Sequence, residues 1–362
     1  MKIDRIIAMT VILLALMPGL VLACDDVPAQ STRMTQPTLP VLEDGVATMY
    51  QIGVDAAKYA MGEMGFERGD AHVLALTNAG YPVINGQTTE ICLYAVMEVT
   101  GCNPGKGNLV NIQSHPWKPL WFGFYDKRTG EAVYMKVKDD GTGFAVQEGD
   151  KIDAETVLAD VAGWDPGVFD HMLPIANIWA HEKTPYIFMK GVEHHNHVCP
   201  GITSGLLLAN YVEDRLPIED ATNQSYKVIS CSACCKDDYF VKAWDSTTGK
   251  KGMYATHLTA DERNALREKY GVIADRGIFI RWDASSKTGD GLALGLEYPQ
   301  TEEGWPRWAA RLQQNIIMMD AADTPETFVS TIKEFSLANE DELLALQGAG
   351  VHPLKVLGIM SG

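Results

Sequence analysis

Basic side chains are in short supply in this chain: 30 Lys and Arg stand against 47 Asp and Glu, for a net charge of −17 at neutral pH. A field of that sign repels polyanions, so nucleic acid is not an expected partner, and a cation or metal ion suits it better. Cysteine is present but is not distributed as a disulfide framework. Cys92, Cys102, Cys199, Cys231, Cys234 and Cys235 lie in clusters, and a chain of this length has little need of covalent staples. A single Cys92–Cys102 bridge stays open. An intact phosphate loop is also missing: from Gly101 to Lys106 the glycine spacing is a residue short, and Gly107 stands where Ser or Thr would hold Mg²⁺. Gly289-Asp290-Gly291 reads as a hairpin turn before a strand and not as a dinucleotide fingerprint. No Ser/His/Asp triad or glycosidase-like carboxylate pair is assignable from linear order, because both require proximity in space.

The apolar run at residues 6 to 23 is short for a membrane-spanning helix and is interrupted by Pro18-Gly19. Lys2 and Arg5 precede it, and Val21-Leu22-Ala23-Cys24 ends it, which is the pattern of a secretory signal peptide over residues 1 to 23. The ending resembles a lipoprotein box, so Cys24 is either a lipid attachment point and membrane tether or the residue left by simple cleavage after Ala23. Either outcome predicts an exported, periplasmic or otherwise extracytoplasmic protein. Residues 24 to 45 are poor in apolar side chains and read as a flexible tether, so folded structure is expected from Val46.

What the chain does hold is a dense set of metal ligands. Glu193-His194-His195-Asn196-His197-Val198-Cys199-Pro200-Gly201 puts three imidazoles and a thiol within a few positions, and His nitrogen and Cys sulfur are what Zn²⁺ and similar borderline ions take. On an extended backbone His195 and His197 would point to one side. Pro200 suits the first position of a helix, whose positive end favours the Cys199 thiolate. A second thiol source, Cys231-Ser232-Ala233-Cys234-Cys235, follows a β-like run at residues 226 to 230 and precedes a helix start at Lys236. Cys235 is the preferred fourth ligand, with His194, Cys231 and Cys234 as alternates. The other reading is a Cys231/Cys234 redox pair, weakened by the apparent lack of a βαβ setting.

The chain predicts an α+β fold with two diverged tandem copies of one unit, at residues 46 to 150 and 151 to 300, and a helical C-terminal segment at 301 to 362. Each copy reads as a helix, a strand, a Cys at a helix start (Cys92 or Cys235), a Thr-Gly-rich loop with lysine, and a pair of strands. The first copy has lost its histidines, so one metal site per chain is expected. Helices are expected around residues 308 to 319 and 325 to 337.

Three segments, His195-x-His197-x-Cys199-Pro200-Gly201, Cys235-x-x-Asp238 and Thr100-Gly101-Cys102-x-x-Gly105-Lys106-Gly107-Asn108-Leu109, resemble the hallmarks of the FmdE family, which takes its name from formylmethanofuran dehydrogenase. The resemblance covers about residues 46 to 145 and 185 to 297. It implies an α+β core, metal binding, a dimer or an internal pseudo-dimer, and an association with molybdenum or tungsten enzyme operons of anaerobes; the operon-derived name is not itself an activity. Here the hallmarks are divided between the two copies, and no thiol after Cys235 could form the zinc finger that some members carry.

Three functions are compatible with these residues. The leading one is an exported protein that binds a transition metal, Zn²⁺ first with Fe or Cu also compatible, or a metal-containing small molecule. The others are a metalloenzyme with a metal-bound water and Glu193 or Asp238 as general base, and a thiol oxidoreductase using Cys231 and Cys234. Lys106 is a candidate contact for an anionic ligand.

Overall fold

The computed structural model describes residues 44 to 139, 141 to 149, 151 to 348 and 350 to 361. The expected signal peptide, Cys24 and nearly all of the expected tether lie outside them. Helix α1 (Asp44–Met64) begins slightly before Val46 and buries Met49, Ile52, Ala56, Ala60 and Met64 along one stripe. Gly65 then takes the left-handed conformation, φ 67°, and its N–H closes on the Met61 carbonyl.

The first repeat continues through β1 (Val73–Thr77), α2 (Ile91–Thr100), β2 (Leu109–Asn111), β3 (Trp121–Asp126), β4 (Ala132–Val137) and β5 (Phe144–Gly149), with sheet order β2-β1-β3-β4-β5. Strands β1 and β2 are parallel, Ala75 opposite Leu109, and the other neighbours are antiparallel. Three helices lead out of this repeat: α3 (Ala154–Ala159), α4 (Met172–Ala180) and α5 (Tyr186–His195).

The second repeat consists of α6 (Pro200–Arg215), β6 (Gln224–Ser230), α7 (Lys236–Ala243), β7 (Met253–Ala255), α8 (Ala260–Tyr270), β8 (Ile273–Asp283), β9 (Thr288–Leu296), α9 (Arg307–Asp320) and β10 (Val329–Leu337). Its sheet order, β7-β6-β8-β9-β10, matches the first position for position, including one parallel edge pair with Val228 opposite Met253. Helix α10 (Glu340–Gln347) and a final helical turn at Pro353–Val356 close the described chain.

The tandem α+β duplication is therefore present, with three corrections. Residues 325 to 337, expected as helix, are a 3₁₀ turn and strand β10, so the second repeat extends past the expected boundary at 300. Val329, Thr331 and Ile332 favour extended backbone, and the open edge of β9 supplies hydrogen-bonding partners from Gly289 to Leu296. Gly289-Asp290-Gly291 is not a turn but part of β9, and a side chain at Gly291 would collide with the Phe335 ring of the neighbouring strand. The thiol-rich turn does sit in a βαβ unit, because β6, α7 and β7 form a parallel crossover of the kind that β1, α2 and β2 form in the first repeat.

Paired helices cover one face of each sheet. In both repeats a glycine lets them touch: a Cβ on Gly53 would meet the Cys92 carbonyl oxygen at 2.9 Å and the Ala95 Cβ at 2.8 Å, and one on Gly205 would meet the Lys236 carbonyl oxygen and the Tyr239 Cβ, each at 2.8 Å. This shared contact fixes the register between the repeats. Cys92 matches Lys236 rather than Cys235; the counterparts of Cys235 and Cys199 are Ile91 and Ala47. The other face of the first sheet, through Leu74, Leu76 and Tyr125, joins α4, α5, α6 and the inner face of the second sheet in one continuous core. No helix among the described residues is long and apolar enough to cross a membrane. Cys92 and Cys102 are both buried free thiols, so the bridge between them is absent.

These contacts make the glycines unequal. Gly205→Ala and Gly53→Ala should each lose about 1–3 kcal/mol of stability, because backbone atoms must separate. Gly62→Ala, exposed on α1 with nothing within 4 Å, should gain about 0.5–1 kcal/mol from a less flexible unfolded chain. Urea denaturation midpoints test the opposite signs.

Candidate metal centre

Four donors converge where α5 ends and where α6 and α7 begin. One ligand atom from each of His195, His197, Cys199 and Cys235 lies within 4.8 Å of all the others. Zn–N and Zn–S bonds of about 2.0–2.3 Å place tetrahedral ligand atoms roughly 3.3–3.8 Å apart, and Cys199 Sγ lies 3.8 Å from His195 Nε2. The donor types suit one tetrahedral transition-metal ion, and this pair already stands at the spacing such an ion requires.

Local sequence explains each position. His195 is the last residue of α5. Asn196 then turns the chain with φ 65°, the left-handed region that Asn tolerates better than most residues. This helix cap, and not the expected extended backbone, brings the two imidazoles together with ring centroids 4.2 Å apart. Cys199 is the N-cap of α6, with Pro200 at the first helical position, and Cys235 is the N-cap of α7. Both thiols thus sit at positive helix ends.

The α7 cap is tied down from below. The buried Lys236 ammonium donates to Ser230 Oγ and to Asp237 Oδ1, each at 2.8 Å, while Asp237 Oδ2 accepts from the Cys234 N–H and from Ser230 Oγ, also at 2.8 Å. Removing one partner of such a buried pair leaves an uncompensated charge, so the thiol turn is held to the end of β6. Gly201 supplies the remaining space: a Cβ there would meet the Cys235 Cβ at 2.7 Å and come within 3.2 Å of its Sγ and 3.4 Å of the Cys199 Sγ.

Electrostatics prepare the donors unequally. Burial alone would lower the His195 pKa, but the hydrogen bond to Asp238 and the Cys235 thiol outweigh it and push it up to about 9. The Cys235 hydrogen bond draws Cys199 down to about 7 against its burial, helped by the Ile202 and Gly201 N–H groups and by Arg311. Cys235 is raised in turn, chiefly by Cys199. Their mutual hydrogen bond therefore favours thiolate on Cys199 and thiol on Cys235. His195 Nδ1 donates to Asp238 Oδ2 at 2.7 Å, leaving Nε2 toward the cluster, and His197 Nδ1 lies 3.0 Å from Asn196 Oδ1. A carboxylate behind a ligating imidazole fixes the ring and strengthens it as a donor.

The remaining candidates point elsewhere. Asp238, considered as a general base, is engaged with His195. Glu193 accepts from Lys190 Nζ at 2.7 Å and faces the Asn111 N–H of β2. His194 lies 3.0 Å from the Gln113 side chain. Lys106 donates to the Gly101 carbonyl of its own loop at 3.1 Å. Cys231 is fully buried, and its thiol is pushed up to about 12, chiefly by that burial, whereas Cys234 is exposed. A buried, protonated thiol is poorly suited to exchange chemistry despite the βαβ setting. Sequence reasoning missed Gly201, whose role appears only once the two helix ends are adjacent. It also missed Arg311, which acts on Cys199 from more than a hundred positions away and carries no local signal.

No curated protein matches this chain. A family model described as FmdE, molybdenum formylmethanofuran dehydrogenase operon, matches residues 44–156 and 194–339. The two regions coincide with the two repeats, and the second contains the four converging donors, so the chain belongs to the FmdE family.

Proposed function

We propose that this is an exported metal-binding protein that holds one transition-metal ion, Zn²⁺ foremost, through His195, His197, Cys199 and Cys235. The observation that carries the reading is the convergence of two imidazole nitrogens and two thiol sulfurs within 4.8 Å of one another. Four protein donors make a closed coordination set, which favours holding an ion or a metal-containing ligand over activating a water molecule. Export is supported by Lys2 and Arg5 ahead of the apolar run that ends Val21-Leu22-Ala23-Cys24. Mass spectrometry on protein from native cells should find residues 1 to 23 removed; an intact Met1 there would refute export by this route.

Elemental analysis of anaerobically purified protein should give about one metal ion per chain, since the first repeat offers Ala47 and Ile91 where the second offers Cys199 and Cys235. His195→Ala and Cys199→Ser should reduce that content to near zero while circular dichroism stays unchanged. Gly201→Ala should weaken retention against a chelator by about tenfold or more, because the ligands must move apart. Parent-like metal content in both ligand variants would sink the proposal.

Affinity should depend on pH in a defined direction. Bound metal needs neutral imidazole and thiolates, so protons are released on binding. With His195 at about 9 and Cys199 at about 7 in the metal-free site, affinity should climb as pH rises through 9. It should fall more steeply below 7, by about tenfold per pH unit for each proton displaced. Competition titrations with a chelator of known proton affinity give the slope; a flat profile between pH 6 and 9 contradicts this ligand set.

A further inference from the structure

Beside the metal centre lies a cavity of about 470 Å³ lined by Asp170, His171, His197, Arg307, Trp308 and Arg311, among others. Its size is that of a pocket for a small molecule. His197, a proposed ligand, forms part of its wall, so the cavity and the metal centre share a boundary. Leu173 and Leu312, both buried, supply an apolar side.

The charges here oppose those of the rest of the molecule. Arg307 and Arg311 are one turn apart on α9 and therefore on the same face. Among the described residues, neither guanidinium makes a hydrogen bond or ion pair, in a chain whose net charge is −17. Like charges at this spacing repel, and among the described residues only the field between Arg311 and the Cys199 thiol offsets them. Asp170 is the one carboxylate on the lining, so the wall remains positive. Trp308 is held against Trp164, ring centroids 5.0 Å apart, and gives the cavity a fixed aromatic surface.

We infer that this cavity binds a small organic anion, its carboxylate-like or phosphate-like oxygens gripped by Arg307 and Arg311 and its apolar body against Trp308 and Leu173, with its far end beside His197. The fork of a guanidinium matches such oxygens in a bidentate manner. Only the last contact rests on the metal reading; the anion clamp stands on the cavity and its arginines.

Phenylphosphonate, an oxyanion with an aromatic body, is a suitable probe. Calorimetric titration into metal-loaded protein should show saturable binding at one site per chain. Arg307→Gln, at the arginine that does not act on Cys199, should weaken it at least tenfold while keeping parent metal content, and the Arg307→Gln/Arg311→Gln double variant should weaken it further. Cys199→Ser protein should retain the arginine dependence even where its metal is lost. Absence of saturable binding to the parent, or equal binding by the double variant, overturns the proposal. Failure of the metal reading is seen separately, as unchanged metal content in Cys199→Ser.

Discussion

The centre depends on how closely two helix N-termini may approach. Cys199 and Cys235 cap α6 and α7, and their sulfurs can share an ion only because position 201 has no side chain to intrude between them. A turn further along, Gly205 lets the α6 backbone rest on the Lys236 carbonyl, setting the distance between the helices. Close packing leaves no slack for a methyl group at such a contact. The positive ends of both helices then favour thiolate at the point where metal chemistry requires it.

The same crossing occurs in the first repeat, where Gly53 lies on Cys92 and Ala95, without the donors. That half keeps the architecture of the unit and uses the open face of its sheet to complete the core around α4, α5 and α6. Duplication has thus separated two tasks. One copy gathers its His and Cys donors at its helix ends, and the other contributes a wall of buried strands, with His194 and Glu193 of α5 reaching back to Gln113 and Asn111.

Much of the cluster is legible in the sequence because three of its four converging donors are local: His195, His197 and Cys199 span a single helix-to-helix turn, and Cys235 follows a clear strand. The α+β duplication is legible from the order of its elements. The geometry behind the pattern is not, since a left-handed Asn196 joins the imidazoles where alternation along a strand would have sufficed. Strand β10 reads as helix from sequence because its pairing partner, β9, lies a whole helix earlier in the chain, and propensity gives way to such a long-range edge. Cys92 misleads for a related reason: it sits at a helix start, as Cys235 does, yet the interhelical contact aligns it with the buried Lys236. Nothing in the sequence around Arg307 or Arg311 sets them apart, because their place on the wall of the cavity beside His197 appears only in three dimensions.

The four donors also differ in how firmly the protein holds them. Cys199 and Cys235 belong to helix caps braced by the core, and His195 is anchored by Asp238. His197 follows an exposed Asn196 and has only that residue's amide oxygen behind its ring. Of the four donors His197 is thus the least constrained, and its ring is the one that forms part of the wall of the arginine-lined cavity, so the donor set is stiff on the side of the helix caps and yielding on the side of the cavity.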